Sequence, residues 1–178
     1  MTTVLPPEWH GPSLSFQIRT AGPIDGDLAE AFRQALFASG GSYARVGERM
    51  PVTAKSSSRS YEKWQVRDLE PLGMTISTWN TDGDAVLVVN LALRPLKKYG
   101  SVLPGELISV LVDAARSIHQ RYPLRVGIIG EEAFVAAGLL DLWDSGRRPT
   151  EDTPGTLWPT PQGGLSWNPR PPIDLQDV

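Results

Sequence analysis

Few residues in this chain stand where side-chain chemistry could be done. Adjacent Glu131 and Glu132 follow Gly127-Ile-Ile-Gly130, a run that reads as the end of a strand. Two carboxylates there could act as general acid and general base. The same acids suit the positive end of a helix dipole. Gly127 and Gly130 are too few to cradle a phosphate, which the glutamates would in any case repel. Helix capping is therefore the plainer reading. Asp141, Asp144, Glu151 and Asp152 could approach a hard cation, but their spacing fits no calcium loop, and acids in loops are ordinarily just solvated. Of the two histidines, His10 sits beside Trp9 in a proline-rich leader. His119 falls near the end of a helical pattern, with no second metal ligand at i+3 or i+4. No Gly-x-Ser-x-Gly elbow supports a serine nucleophile. Cysteine is absent altogether, which removes disulfides, thiolate metal sites and cysteine nucleophiles and fits a reducing compartment. No cofactor and no metal are expected.

The charge pattern points to partners rather than to substrates. Residues 131–178 hold eight acids against three bases, a net of −5, whereas residues 43–70 hold six bases against four acids, a net of +2. A duplex-binding protein concentrates Lys and Arg on one face, and none is concentrated here, so nucleic acid is not an expected partner. An acidic final third favours a basic protein partner. No basic-then-apolar leader resembles a signal peptide, and no apolar run approaches the ~18 residues of a membrane span, so no membrane partner is expected and cytoplasmic is the default location.

The elements that must position these residues come from hydrophobic period. The spacing predicts a single α+β domain over 1–144, with residues 1–13 as an irregular leader, and an acidic, Pro/Gly-rich tail over 145–178 that could dock on it. The expected order is β-α-β-β-β-β-α-β-α in a mixed, largely antiparallel sheet. Leu14, Phe16 and Ile18 alternate with polar residues, as in a strand with one wet face. Asp25 or Asp27 can cap a helix to about Ser39, with Gly40-Gly41 ending it. Tyr43–Val46 and Met50–Ala54 read as short strands, and Ser56–Ser60 as an exposed polar loop. Tyr61–Leu69 alternates with Trp64 and Val66 inward and Glu62, Lys63, Gln65 and Arg67 largely outside that set.

The organising stretch is Gly73–Gly130. Met74–Asn80 and Ala85–Leu93 form a hairpin turned at Asp82-Gly83. The almost unbroken apolar run after Asp84 suits a central strand covered on both faces. A helix over about Pro104–Tyr122 then carries Leu107, Leu111, Ala114/Ala115, Ile118 and Tyr122 on one stripe, and Pro123 stops it. Leu124–Ile129 is again a strand, and parallel pairing with 84–93 would make the helix a crossover connection. Glu131–Trp143 reads as a short helix. Beyond it Leu157-Trp158 and Leu165-Ser-Trp167 flank Gln162-Gly163-Gly164, so a small hairpin is possible, and the last ten residues, with Pro169, Pro171 and Pro172, look extended or disordered.

Six tryptophans are the other distinctive feature. Trp64 and Trp79 fall inside strands and are expected in the core. Trp143, Trp158 and Trp167 stand beside acids in irregular sequence, where they either pin the tail onto its own domain or anchor an interface. Glu62–Val66, Met74–Leu93 and the tail around Trp158 and Trp167 together resemble the small cytoplasmic immunity proteins of bacterial polymorphic-toxin systems. That resemblance implies a cysteine-poor α+β domain that neutralises a cognate protein toxin by occluding its active site. It further implies that Asp141, Trp143, Asp144, Glu151, Asp152, Trp158 and Trp167 would meet a basic active-site cleft. The rival expectations are a small carboxylate-dependent enzyme built on Glu131 and Glu132, and a structural or adaptor subunit.

Overall fold

A computed structural model describes residues 11–46, 57–81, 83–131 and 150–176. The chain is a mixed α+β protein whose sheet has eight strands among these residues, every pairing antiparallel. In chain order the elements are β1 (Ser13–Thr20), α1 (Leu28–Ala38), β2 (Gly41–Val46), β3 (Ser57–Val66), β4 (Leu72–Asn80) and β5 (Ala85–Ala92). A 3₁₀ turn over Arg94–Tyr99 leads to α2 (Gly105–Arg121), β6 (Leu124–Glu131), β7 (Thr156–Pro159) and β8 (Leu165–Asn168). Across the sheet the order is β2-β3-β4-β5-β1-β6-β7-β8.

Both helices lie on one face of the sheet and pack against each other. Between them and the sheet sits the main core: Leu14, Phe16 and Ile18 of β1, Leu87, Val89 and Leu91 of β5, and Phe32, Leu36, Leu107 and Leu111 from the helices. The Phe16 and Phe32 rings stack with centroids 5.5 Å apart. The Asp27 carboxylate starts α1 by accepting from the Ala29 and Glu30 amides at 2.9 and 3.2 Å, satisfying two donors that no helical carbonyl can reach. The β4–β5 hairpin closes at Asn80↔Ala85, with the Thr81 amide donating to the Asp84 carbonyl at 2.8 Å.

Four expectations are corrected. Leu124–Ile129 does not pair with 84–93. Strand β1 is inserted between β5 and β6, so those two run parallel to each other but one strand apart. For the same reason β1 has no wet face: Ser15, Gln17 and Arg19 are all buried although they point away from the helices. Alternation reveals which side chains face the core, and the insertion of β1 into the middle of the sheet decides the fate of the others. Ser57–Ser60 belong to β3 rather than to a loop, because Ser58 and Arg59 find partners in Thr78 and Ser77 of β4. Finally, β6 continues through Glu131, paired with Leu14, where a helix start was expected. The rest of the predicted 131–143 helix and the predicted strand 50–54 lie outside the described residues.

Glu62, expected largely outside the Trp64 and Val66 face, is the residue whose place most changes the picture. It shares the period-two face of Trp64 and Val66 and is buried beneath α1, where the Arg33 guanidinium grips it from both sides. Arg33 Nη2 donates to Glu62 Oε1 at 2.7 Å, Ser60 Oγ donates to the same oxygen at 2.7 Å, and Trp64 Nε1 donates to Oε2 at 2.9 Å. Burial alone would push this carboxyl up. The hydrogen bonds from Arg33, Ser60 and Trp64, together with the Arg33 charge, outweigh it and hold the carboxyl below its ordinary value. The anchor is a fully satisfied buried ion pair joining helix to sheet.

A second buried cluster lies on the other face. Arg19 Nε donates to Asp84 Oδ2 at 2.6 Å and Arg125 Nη2 to Asp84 Oδ1 at 3.0 Å, so one carboxylate joins β1, the β5 entrance and β6.

Candidate partner-binding site

The tail is where most of the predicted site residues fall, and within 150–176 it is structured. Its attachment depends on two glycines. A side chain at Gly127 would meet Leu157 at 3.0 Å, so this glycine makes room for β7 rather than serving a phosphate. Gly155 has φ +80°, and a Cβ there would sit 2.6 Å from the Ile129 carbonyl, whose own amide donates to Gly155 O at 2.8 Å. Between them, β7 adds to β6 through Gly127↔Leu157 and Ile128↔Thr156, and β8 folds back on β7. The hairpin that was only possible in the sequence is thus the outer edge of the main sheet.

After β8 the chain crosses back over the start of α2. The Leu103 amide donates to the Ile173 carbonyl at 3.0 Å, and Val102 and Asp174 form an antiparallel bridge. Ile173 and Leu175 are buried in the main core together with Leu157 and Leu165. The extended ending of the sequence is therefore a strap held at its far end by two core side chains.

Strap, β8 and α2 enclose an open groove of about 370 Å³ whose walls include Val102, Ile108, Trp167, Pro169, Pro171 and Pro172. Its lining is mostly apolar. Val102 is 50% exposed, one of the few large apolar side chains in the described residues to face water so fully. Trp167 is half-buried, resting on the main core with one side and lining the groove with the other. Pro169, Pro171 and Pro172 make the opposing wall stiff, because each has φ set by its ring.

The predicted site residues separate accordingly. Trp158 and Trp167 lie on opposite faces of the β7–β8 hairpin. Trp158 packs against Val126 and Ile128 on the side away from the helices, and its Nε1 donates to Thr156 Oγ1 at 2.9 Å. That side chain pins the tail. Trp167 lines the groove. Glu151 and Asp152 are exposed in the turn before β7, and this turn is tied to β8 on the Trp158 face of the hairpin by Asn168 Nδ2, which donates to the Glu151 carbonyl at 3.1 Å. Asp141, Trp143 and Asp144 lie outside the described residues, as do Glu132, His10 and Trp9. Glu131 is exposed at the end of β6, 3.9 Å from Arg170. His119 Nδ1 accepts the Leu124 amide at 2.9 Å and so works as a joint between α2 and β6. Trp64 is core as expected, while Trp79 is half-buried and faces away from the helices.

Sequence reasoning missed Val102, Ile108 and the proline wall as site residues. The available signal was weak: an apolar residue in a loop, and prolines whose spacing says stiffness but not location. A second cavity, about 400 Å³, is walled by the turn 20–25 and by Arg121, Tyr122 and Pro123, and includes none of the predicted partner-binding residues. Among the described residues no group of three or more His, Asp or Glu is placed to hold a metal ion, and no helix is long and apolar enough to cross a membrane. Comparison of the chain with protein-family models, curated proteins and solved structures returns no match.

Proposed function

We propose that this chain is an immunity-type inhibitor, a binding protein that captures a protein toxin and covers its active site. The observation that carries the reading is an exposed acidic turn on a hairpin whose other face offers Trp167 and an apolar groove. Glu151 and Asp152 are exposed on a turn joined through Asn168 to the strand that bears Trp167. Exposed acids raise the rate of encounter with a basic surface, and a partly buried tryptophan supplies the kind of contact that slows dissociation. The reading also counts Asp141, Trp143 and Asp144, which lie outside the described residues, among the contacts with the toxin, and it takes the cytoplasm as the location of action.

The test is coproduction of the chain with secreted toxins of its own host, scored by growth protection and by recovery of a one-to-one complex. The proposal expects both. It further expects the double variant Glu151→Lys/Asp152→Lys to slow association by about tenfold at low salt, with a smaller effect at high salt. A toxin that kills regardless and forms no complex sinks the reading. Truncation before residue 150 is a poor probe, because it would strip Leu157, Leu165, Ile173 and Leu175 from the core.

A further inference from the structure

Immunity-type inhibition alone leaves open which partner inserts into which. We infer that the groove beside Trp167 is a receiving pocket for a bulky apolar side chain of the partner flanked by lysine or arginine. This rests on the function proposed above, but it reverses the obvious expectation that the tail tryptophans are themselves the inserting groups.

Three observations converge. First, Trp167 cannot swing out as a knob without abandoning the main core on which it rests, and Trp158 is committed to Val126 and Ile128 on the opposite face. Second, the space is there: about 370 Å³ lined by Val102, Ile108, Trp167 and three prolines, at the small end of the range for ligand pockets and large enough for one or two large side chains. The proline wall is preorganised, so filling the groove orders little additional backbone. Third, exposed acids follow lining residues in the chain: Glu106 follows Gly105 and Asp174 follows Ile173, while Glu151 and Asp152 are exposed on the turn that Asn168 holds on the other face of the hairpin. The cation within the lining, Arg170, is matched by Glu131 at 3.9 Å. An apolar pocket with exposed acids beside its lining discriminates by charge at its edge and by size at its floor, so the occupant it fits is apolar at the centre with basic residues next to it.

The test uses the full chain, with three capped hexapeptides as probes: KKLFKK, EELFEE and KKGSKK. Binding is followed by the Trp167 indole N–H resonance, assigned with Trp167→Phe, and by isothermal titration. The inference expects KKLFKK alone to shift that resonance saturably. It also expects Val102→Arg, at a half-exposed site where folding should be unaffected, to weaken KKLFKK by about tenfold or more while the melting temperature stays put. Equal binding of KKGSKK would reduce the effect to surface charge, and equal binding of EELFEE would remove the rim argument; either overturns the inference. A whole toxin neutralised normally by the Val102→Arg chain would also overturn it, while leaving the inhibitor reading standing. Loss of both toxin and peptide binding by Val102→Arg supports it.

Discussion

Beneath α1, both Glu62 oxygens have donors and the side chain is 1% exposed, whereas beside α2 the groove leaves Val102 half in water and Trp167 covered on one side only. Both regions use a tryptophan next to a helix. In the first, Trp64 donates its N–H to a carboxylate and is sealed in. In the second, Trp167 has core on one side and a cavity on the other. The difference separates two tasks. Closed, satisfied polar contacts hold an element in one place, and unfilled apolar surface is what a partner can still gain by covering.

The sharpest way to break this contrast is at Glu62. Glu62→Gln removes the buried counter-ion of Arg33, leaving it the half-exposed Glu30 carboxylate at 3.3 Å, and should cost about 3 kcal/mol in denaturant unfolding. If the anchor matters chiefly as a satisfied pair, the double variant Arg33→Met/Glu62→Leu should recover much of that loss. The pH dependence follows from the same contacts. Because the folded carboxyl titrates below its unfolded value, its stabilisation is fully present above the ordinary glutamate range and is lost as pH falls through the folded value. Melting curves of the wild type and Glu62→Gln should therefore converge as pH is lowered from about 5.

Next in size is the strap. Leu175→Ala, at a 1% exposed position, should cost about 2–5 kcal/mol, and an effect within error would show the strap to be an accessory rather than part of the core. Trp158→Ala should cost about 1–3 kcal/mol, since the side chain is only partly buried, and should leave peptide capture at the groove unchanged. The smallest expected change in stability is at the groove itself. Val102→Ser should alter unfolding by no more than about 0.5 kcal/mol while weakening capture, a split that a purely structural residue would not give.

How much of this was legible beforehand varies by region. The Asp27 cap, the β4–β5 hairpin and α2 were readable because their signals are local: a capping carboxylate, a turn between two apolar runs, and a stripe interrupted by Pro123. The Glu62 anchor was not legible: in sequence Glu62 groups with Lys63, Gln65 and Arg67 outside the Trp64 and Val66 face, because a glutamate of that parity is buried only if a distant arginine meets it, and Arg33 lies 29 residues away. The central position of β1 was not legible, because nothing in Leu14–Ile18 names the strands on either side. The groove was least legible of all. It exists only where a strap, a strand and a helix far apart in sequence converge, and prolines announce stiffness without saying against what.

The insertion of β1 between β5 and β6 has a kinetic consequence. The register joins Phe16 to Val89 on one side and to Ile129 on the other, so the first of the described strands waits for partners made much later. Loop closure over such separations is slow, and a nascent chain with β1 exposed has two unpaired edges. Assembly on a ribosome should therefore finish late, and chaperone capture should fall off only after residues 124–131 have emerged.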